Sequence, residues 1–215
     1  MKILTVSDRV VEIIYSASIQ QRFGDVELVL ACGDLPFNYL EFIVTMLGVP
    51  LLYVFGNHDQ GVFTPSGKLK YAPEGCINVN GKVVNVRGLL IGGLEGSMRY
   101  SGQGNHQYTE GDMRWKALRM APMLWWNRLR RGRFLDILIT HAPPYRIHDG
   151  TDLCHTGFKT FLNMMDIYRP RYLIHGHVHV YSPHTIVRTT YRHTQVVNTY
   201  DYQIINWRDF KPRDG

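Results

Sequence analysis

Asp8, Asp34, Asn57, His58, Asp59, His141, His177 and His179 are the residues of this chain whose types and spacing can do chemistry. Each stands just after a short apolar run. Asp8 follows Lys2 to Ser7, and Gly33-Asp34 follows Val26 to Cys32. Gly56-Asn57-His58-Asp59 follows Pro50 to Phe55, His141 follows Phe134 to Thr140, and Gly176-His177-Val178-His179 follows Tyr172 to His175. Carboxylate, amide and imidazole donors without thiolate suit Mn, Fe, Zn or a similar divalent ion. A carboxylate has two oxygens and can bridge two ions, and two ions roughly 3.5–4 Å apart can clamp a phosphoryl group. Taken singly the signals are ordinary. An Asp after a strand is commonly a cap, a Gly-Asp pair a turn, and a buried His a satisfied core residue. Their recurrence at the ends of five separate runs is what points to one site.

The elements must therefore bring those ends together. The apolar runs read as buried strands, and Val10 to Phe23 reads as a helix because Val10, Ile13, Ile14 and Ala17 recur at helical spacing. Phe37 to Leu47 reads as a second helix. Strand, helix, strand, helix, strand implies parallel pairing through helical crossovers. Ile77 to Val86 and Leu89 to Leu94 read as strands around a tight turn at Asn80-Gly81. Glu95 to Asp112 reads as a loop, Thr156 to Tyr168 as a helix ending before Pro170, and Thr185 to Trp207 as two or three strands. The expectation is one α/β domain over residues 1–215, with two sheets inside and helices outside. Ligands of such sheets collect at the carboxyl ends of the strands.

The ordered blocks Asp8, Gly33-Asp34, Gly56-Asn57-His58-Asp59, His141 and Gly176-His177-Val178-His179 resemble the calcineurin-like metallophosphoesterase superfamily over about residues 1 to 200. The resemblance implies a β-sandwich of two mixed sheets flanked by helices. It implies that Asp34 bridges two metals, that Asp8 and His179 complete the first site, and that Asn57, His141 and His177 complete the second. It places His58 outside the metal ligands, where it would bind a phosphoryl oxygen or protonate the leaving alkoxide while a bridging hydroxide attacks phosphorus. Asp59, the neighbour of His58, is taken with it as a catalytic candidate.

Two departures qualify the match. The family's first motif is Asp-x-His, whereas this chain has Asp8-Arg9-Val10, and valine cannot ligate. Purple acid phosphatases, which are relatives, use a Tyr three residues after the bridging Asp, but that position is Phe37 here; Tyr39 is the nearest hydroxyl. Weaker occupancy of the first site, hence one or two ions, is the expectation. The family's protein Ser/Thr phosphatases carry Gly-Asp-x-x-Asp-Arg-Gly, and Gly33-Asp34-Leu35-Pro36-Phe37-Asn38-Tyr39 does not match it. The reading is a metal-dependent hydrolase of a small or medium phosphomonoester or phosphodiester. Two alternatives stand beside it: a weakened single-metal protein that binds a phosphorylated ligand or regulates, and, within enzymes, a nuclease or lipid-linked pyrophosphatase.

Arg99 in the Glu95–Asp112 loop, with Arg146 and His155 in the Tyr145–Gly157 loop, are the candidates for substrate contact. Guanidinium matches phosphate geometry bidentately. Of 24 basic and 18 acidic residues, seven basic ones fall between Met113 and Arg133 with no acid, so the remainder of the +6 chain is near neutral. Trp115, Leu118, Pro122, Trp125 and Leu129 recur there at helical spacing, and Pro122 is expected to split the segment into two helices. The segment reads as an amphipathic cover with a solvated basic face, or as a patch for an anionic membrane surface or a nucleic acid. An apolar content of 45% excludes a disordered chain. The three scattered cysteines Cys32, Cys76 and Cys154 read as reduced thiols, and the opening apolar run is too short for a signal peptide, so a cytoplasmic protein is expected.

Overall fold

The computed structural model describes residues 1–64, 66–102 and 104–209. The chain opens with β1 (Lys2–Ser7), α1 (Ile19–Phe23), β2 (Leu28–Ala31), α2 (Phe37–Leu47) and β3 (Leu51–Tyr53). A small antiparallel ribbon follows, β4 (Val62–Phe63) and β5 (Leu69–Lys70). Next come β6 (Ile77–Asn78), β7 (Val83–Val86), β8 (Leu89–Leu94), and the short parallel pair β9 (Ser97–Met98) and β10 (Gln107–Tyr108). Then come α3 (Glu110–Arg131), β11 (Ile137–Thr140), α4 (Lys159–Tyr168) and β12 (Tyr172–His175). The last strands are β13 (Arg188–Tyr191), β14 (Thr194–Asn198) and β15 (Asp201–Asn206).

Two mixed sheets result. The first has the order β15-β1-β2-β3-β6 and the second β13-β14-β12-β11-β8-β7. Alternate residues of each strand serve different layers, because side chains alternate across a strand. Ile3, Leu28 and Leu30 of the first sheet meet Ile137, Ile139 and Ile174 of the second between the sheets. Leu4 and Val29 point the other way, onto α1 and α2 with Ile19, Phe23 and Ile43. Leu138, Leu173 and Val196 point onto α3 and α4 with Met120 and Phe161. Strands covered on both faces need apolar residues at every position, which is why the runs are continuous rather than alternating. The fold is a mixed α/β sandwich of two sheets flanked by helices.

Five local expectations are corrected. Val10 to Ser18 is not helical; it is a series of turns in which Ile14 and Tyr15 amides donate to the Val11 carbonyl at 2.9 and 2.8 Å. Ser16 explains the break: its hydroxyl donates to the Ile13 carbonyl and meets Ser18 Oγ at 2.9 Å, offering the backbone an alternative to helix. Asn80-Gly81 turns the chain between sheets rather than within one: β6 pairs with β3, whereas β7 pairs with β8. The hairpin turn is Arg87-Gly88, both at positive φ (51° and 85°), as a tight hairpin requires. The segment around Pro122 is one helix of 22 residues. Burying Met113, Met120 and Leu124 contributes about 1.5–3 kcal/mol each, which outweighs the roughly 3 kcal/mol cost of an internal proline. A capping box between Thr109 and Asp112 and a left-handed Gly132 (φ 74°) fix its ends. The face that covers the sheet is Met113, Ala117, Met120 and Leu124; the Trp-Leu stripe expected to be the cover lies outside. Glu95 to Asp112 holds β9 and β10 and the first turn of α3. Among the described residues, no helix is long and apolar enough to cross a membrane.

Candidate metal centre

Asp8, Asp34 and Asn57 leave the C-terminal ends of β1, β2 and β3, and His141 and His177 leave those of β11 and β12. The two sheets present these ends at the same edge of the sandwich. The Gly176 amide donates to the His141 carbonyl at 3.0 Å, and the His177 amide donates to Asp8 Oδ1 and Oδ2 at 3.1 and 2.9 Å. Asp8, Asp34 and His177 all have positive φ (64°, 55° and 66°). Such backbone costs roughly 1–3 kcal/mol at a non-glycine residue and persists where the surroundings over-determine it. The glycines beside them are there for closeness. A Cβ at Gly176 would lie 2.5 Å from Asp8 Oδ2 and 2.7 Å from Ser7 Cβ.

His141 is fully buried, and its Nδ1–H donates to the Cys32 carbonyl at 2.7 Å. Nε2 is thereby aimed at Asn57 Oδ1 (3.0 Å) and Asp34 Oδ2 (3.3 Å). His177 Nε2–H donates to the Cys154 carbonyl at 2.9 Å, which leaves Nδ1 with its lone pair. Ligand atoms of Asp34, His141 and His177 lie within 4.8 Å of one another, and Asn57 joins them through His141. Burial opposes ionisation of Asp34, yet His141 and the His58 amide hold its carboxyl down at about 2. Burial likewise opposes charging His141, but the Asp34 and Asp8 carboxylates push it up to about 9. Burial, with His141 alongside, depresses His177 to about 3, so its imidazole is neutral. Asp8 is raised, by burial first and by the like charge of Asp34 among the lesser causes. Crowded carboxylates beside a neutral imidazole and an amide oxygen fit a divalent cation: it would replace the His141 proton and relieve the like charges.

The remaining candidates are placed unevenly. His58 is exposed, and its amide donates to Asp34 Oδ1 at 2.9 Å. Its side lines a cavity of about 340 Å³ with Asn57, Tyr100, Asn105 and Gln107. Asp59 Oδ2 accepts from the Asp34 and Gly56 amides at 2.9 and 2.6 Å, so this carboxylate ties the β2 and β3 loops together. His179 is exposed, with Nδ1 2.9 Å from the Tyr181 hydroxyl and its ring against Tyr200. Val10 is half-buried and packs against the apolar layer holding Ile14 and Tyr39, and the Tyr39 hydroxyl accepts from the Val11 amide at 3.4 Å. The structure thus gathers Asp34, Asn57, His141 and His177 tightly and holds Asp8 beside them, while His179 is engaged by Tyr181 and Tyr200.

Of the substrate candidates, only His155 borders the cluster, its ring centroid 5.0 Å from that of His177. Arg99 bonds Asp112 Oδ2 at 3.1 Å, and exposed Arg146 lies against the Tyr145 ring. Two further residues border the site without belonging to any motif. Tyr100 is one loop aromatic among several in the sequence, yet its hydroxyl accepts from Asn57 Nδ2 at 3.3 Å. Cys154 has no second cysteine near it in the chain, yet its sulfur lies 3.8 Å from His177 Nε2.

The family model for calcineurin-like phosphoesterases matches residues 3–181. A search of curated proteins returns no significant match. One crystal structure is 15% identical with a TM-score of 0.65, over 99% of this chain and 97% of that one. Another, of TT1561 from Thermus thermophilus, is 17% identical with a TM-score of 0.60, over 93% and 89%. At those identities the likeness speaks for the fold. The matched span takes in every strand end described above, and on it this chain belongs to the calcineurin-like phosphoesterase family.

Proposed function

We propose that the chain hydrolyses a small or medium phosphomonoester or phosphodiester, using a divalent cation held by Asp34, Asn57, His141 and His177. The observation carrying this reading is the close grouping of Asp34, His141 and His177, with Asn57 Oδ1 3.0 Å from His141. A divalent ion at such a site neutralises phosphoryl oxygens and lowers the pKa of water. The chain's own residues do the rest. His58, exposed at the mouth of the cavity, meets a phosphoryl oxygen or gives a proton to the departing alkoxide. Asn57 is oriented by Tyr100, whose hydroxyl accepts from its Nδ2. Asp59 holds the loops that carry Asp34 and Asn57. The cavity beside His58 has room for a small ester and is lined by amides and hydroxyls.

The second reading, a single-metal protein that binds a phosphorylated ligand without turning it over, is favoured by two observations: His179 is engaged by Tyr181, and Val10 packs into the apolar layer. Purified protein, stripped of metal and reloaded with Mn or Zn, separates the two on an aryl phosphomonoester and an aryl phosphodiester. Metal-dependent hydrolysis abolished by Asp34→Asn supports the enzyme. Stoichiometric metal without turnover on either ester supports the binding protein.

A further inference from the structure

The outer face of α3 has no role in the site. At 100° per residue, Met113, Ala117, Met120 and Leu124 centre on the sheet side. Trp115, Leu118, Pro122, Trp125, Trp126 and Leu129 fall in an arc of about 100° centred roughly 160° away from them. Trp115, Leu118, Trp125, Trp126 and Leu129 are 63, 52, 58, 53 and 78% exposed, a helical apolar stripe turned outward. Arg114 lies along one edge of the stripe and Arg119 and Arg130 along the other, with Arg130 over the Trp126 ring at 4.7 Å, while Arg128 turns to the Gly132 carbonyl and the Phe134 ring. No acid occurs from residue 113 to 135. Among the described residues, no carboxylate pairs with these four arginines.

Independently of the proposed reaction, we infer that α3 docks the protein on an anionic lipid surface, with the stripe at the acyl boundary and the arginines on headgroup phosphates. Charge and chemistry select this occupant. Indoles suit the boundary between headgroups and chains, and aliphatic side chains enter it freely. Leu118, Pro122 and Leu129 interrupt the aromatic series and offer no π-face, so a stacked nucleic acid strand finds no continuous platform on this convex face. A second copy of the chain would set arginine rows against arginine rows.

The test uses the full chain with vesicles of phosphatidylcholine alone and of phosphatidylcholine with 30% phosphatidylglycerol, read by co-sedimentation and tryptophan emission. The expected result is binding to the anionic vesicles, with a blue shift, at least tenfold tighter than to the neutral ones. Leu118→Ser/Leu129→Ser, which leaves all charges in place and changes only exposed residues, should weaken binding at least tenfold. Arg119→Gln/Arg130→Gln should do likewise, and circular dichroism melts should match the parent. No vesicle binding, or binding indifferent to the leucine pair, overturns the inference. So does tighter binding of a single-stranded oligonucleotide, or a sedimentation shift to a dimer lost in the leucine variant.

Discussion

Gly56→Ala is the most exacting test of how the metal centre is built. A Cβ at Gly56 would lie 2.5 Å from Asp34 Cγ and 2.7 Å from His141 Cε1, and nearer still to Asp34 Oδ1. Ordinary contact begins near 3.4 Å, so His141 must retreat by roughly 0.7 Å and Asp34, whose Oδ1 is nearer than its Cγ, by more than about 0.9 Å. Neither can do so freely. His141 is fully buried with Nδ1 bonded to the Cys32 carbonyl, and Asp34 Oδ1 holds the His58 amide. Overpacking at such a site costs about 1–3 kcal/mol. For a domain of this size that is about 2–12 °C in melting temperature. The displacement also spreads two donors of one cation, and misplacement on that scale is worth about 100-fold in a preorganised site. The assay is Mn or Zn affinity by competition with a chelating dye, beside thermal melts with and without metal. Affinity should fall about 10- to 100-fold. Parental affinity together with a parental melting temperature would refute the geometry.

Three further outcomes are expected. His58→Ala should lower turnover by about 100-fold or more while metal affinity stays within about twofold, because its ring lies outside the ligand cluster; equal losses of both would place it among the ligands. Burial favours protonating Glu95, but hydrogen bonds from His106, Tyr108 and Lys116 hold it at about 2, against an ordinary value of 4.5. Its contribution to stability, about 3 kcal/mol, is present above pH 4.5 and is lost as pH falls toward 2. Urea titrations over that window should therefore show a steeper acid loss for the parent than for Glu95→Gln, and equal slopes would contradict the assignment. Val10→His restores an imidazole two residues after Asp8 and should raise bound metal from about one toward two per chain, measured by atomic emission; an unchanged ratio and affinity would count against the missing donor as the cause.

How much of this is legible in the sequence depends on how local the physics is. α2 spans Phe37–Leu47 as expected, and Tyr172 to His175 is the strand its composition indicates. The strand ends announce themselves because a doubly covered strand is apolar throughout, so the first polar residue marks its exit from the core. Where side chains compete with the backbone, periodicity misleads: Val10 to Ala17 carries a helical pattern, but Ser16 diverts it into turns. Asn80-Gly81 has the residues of a hairpin turn, yet which sheet each flank joins is a long-range matter that no dipeptide encodes. Around Pro122 two apolar stripes share one helix, and only the sheet beneath decides that the methionine stripe is inside and the tryptophan stripe out. Arg99 lies in the expected loop, but its partner Asp112 belongs to the cap of α3, a pairing invisible until the helix start is known. The blocks at Asp34, Asn57 and His177 are readable because a glycine precedes each donor in the chain, and His141 because it ends the apolar run to Thr140; the orientation of His179 toward Tyr181 is not.

Everything mechanistic rests on Asp34, Asn57, His141 and His177 holding one cation between them. Crystals grown with Mn and measured at a wavelength that gives a strong anomalous signal from it test this directly. The expected result is an anomalous peak within about 2.0–2.3 Å of donor atoms from all four residues. A fully loaded protein whose only peak lies away from His141 and His177 would contradict it.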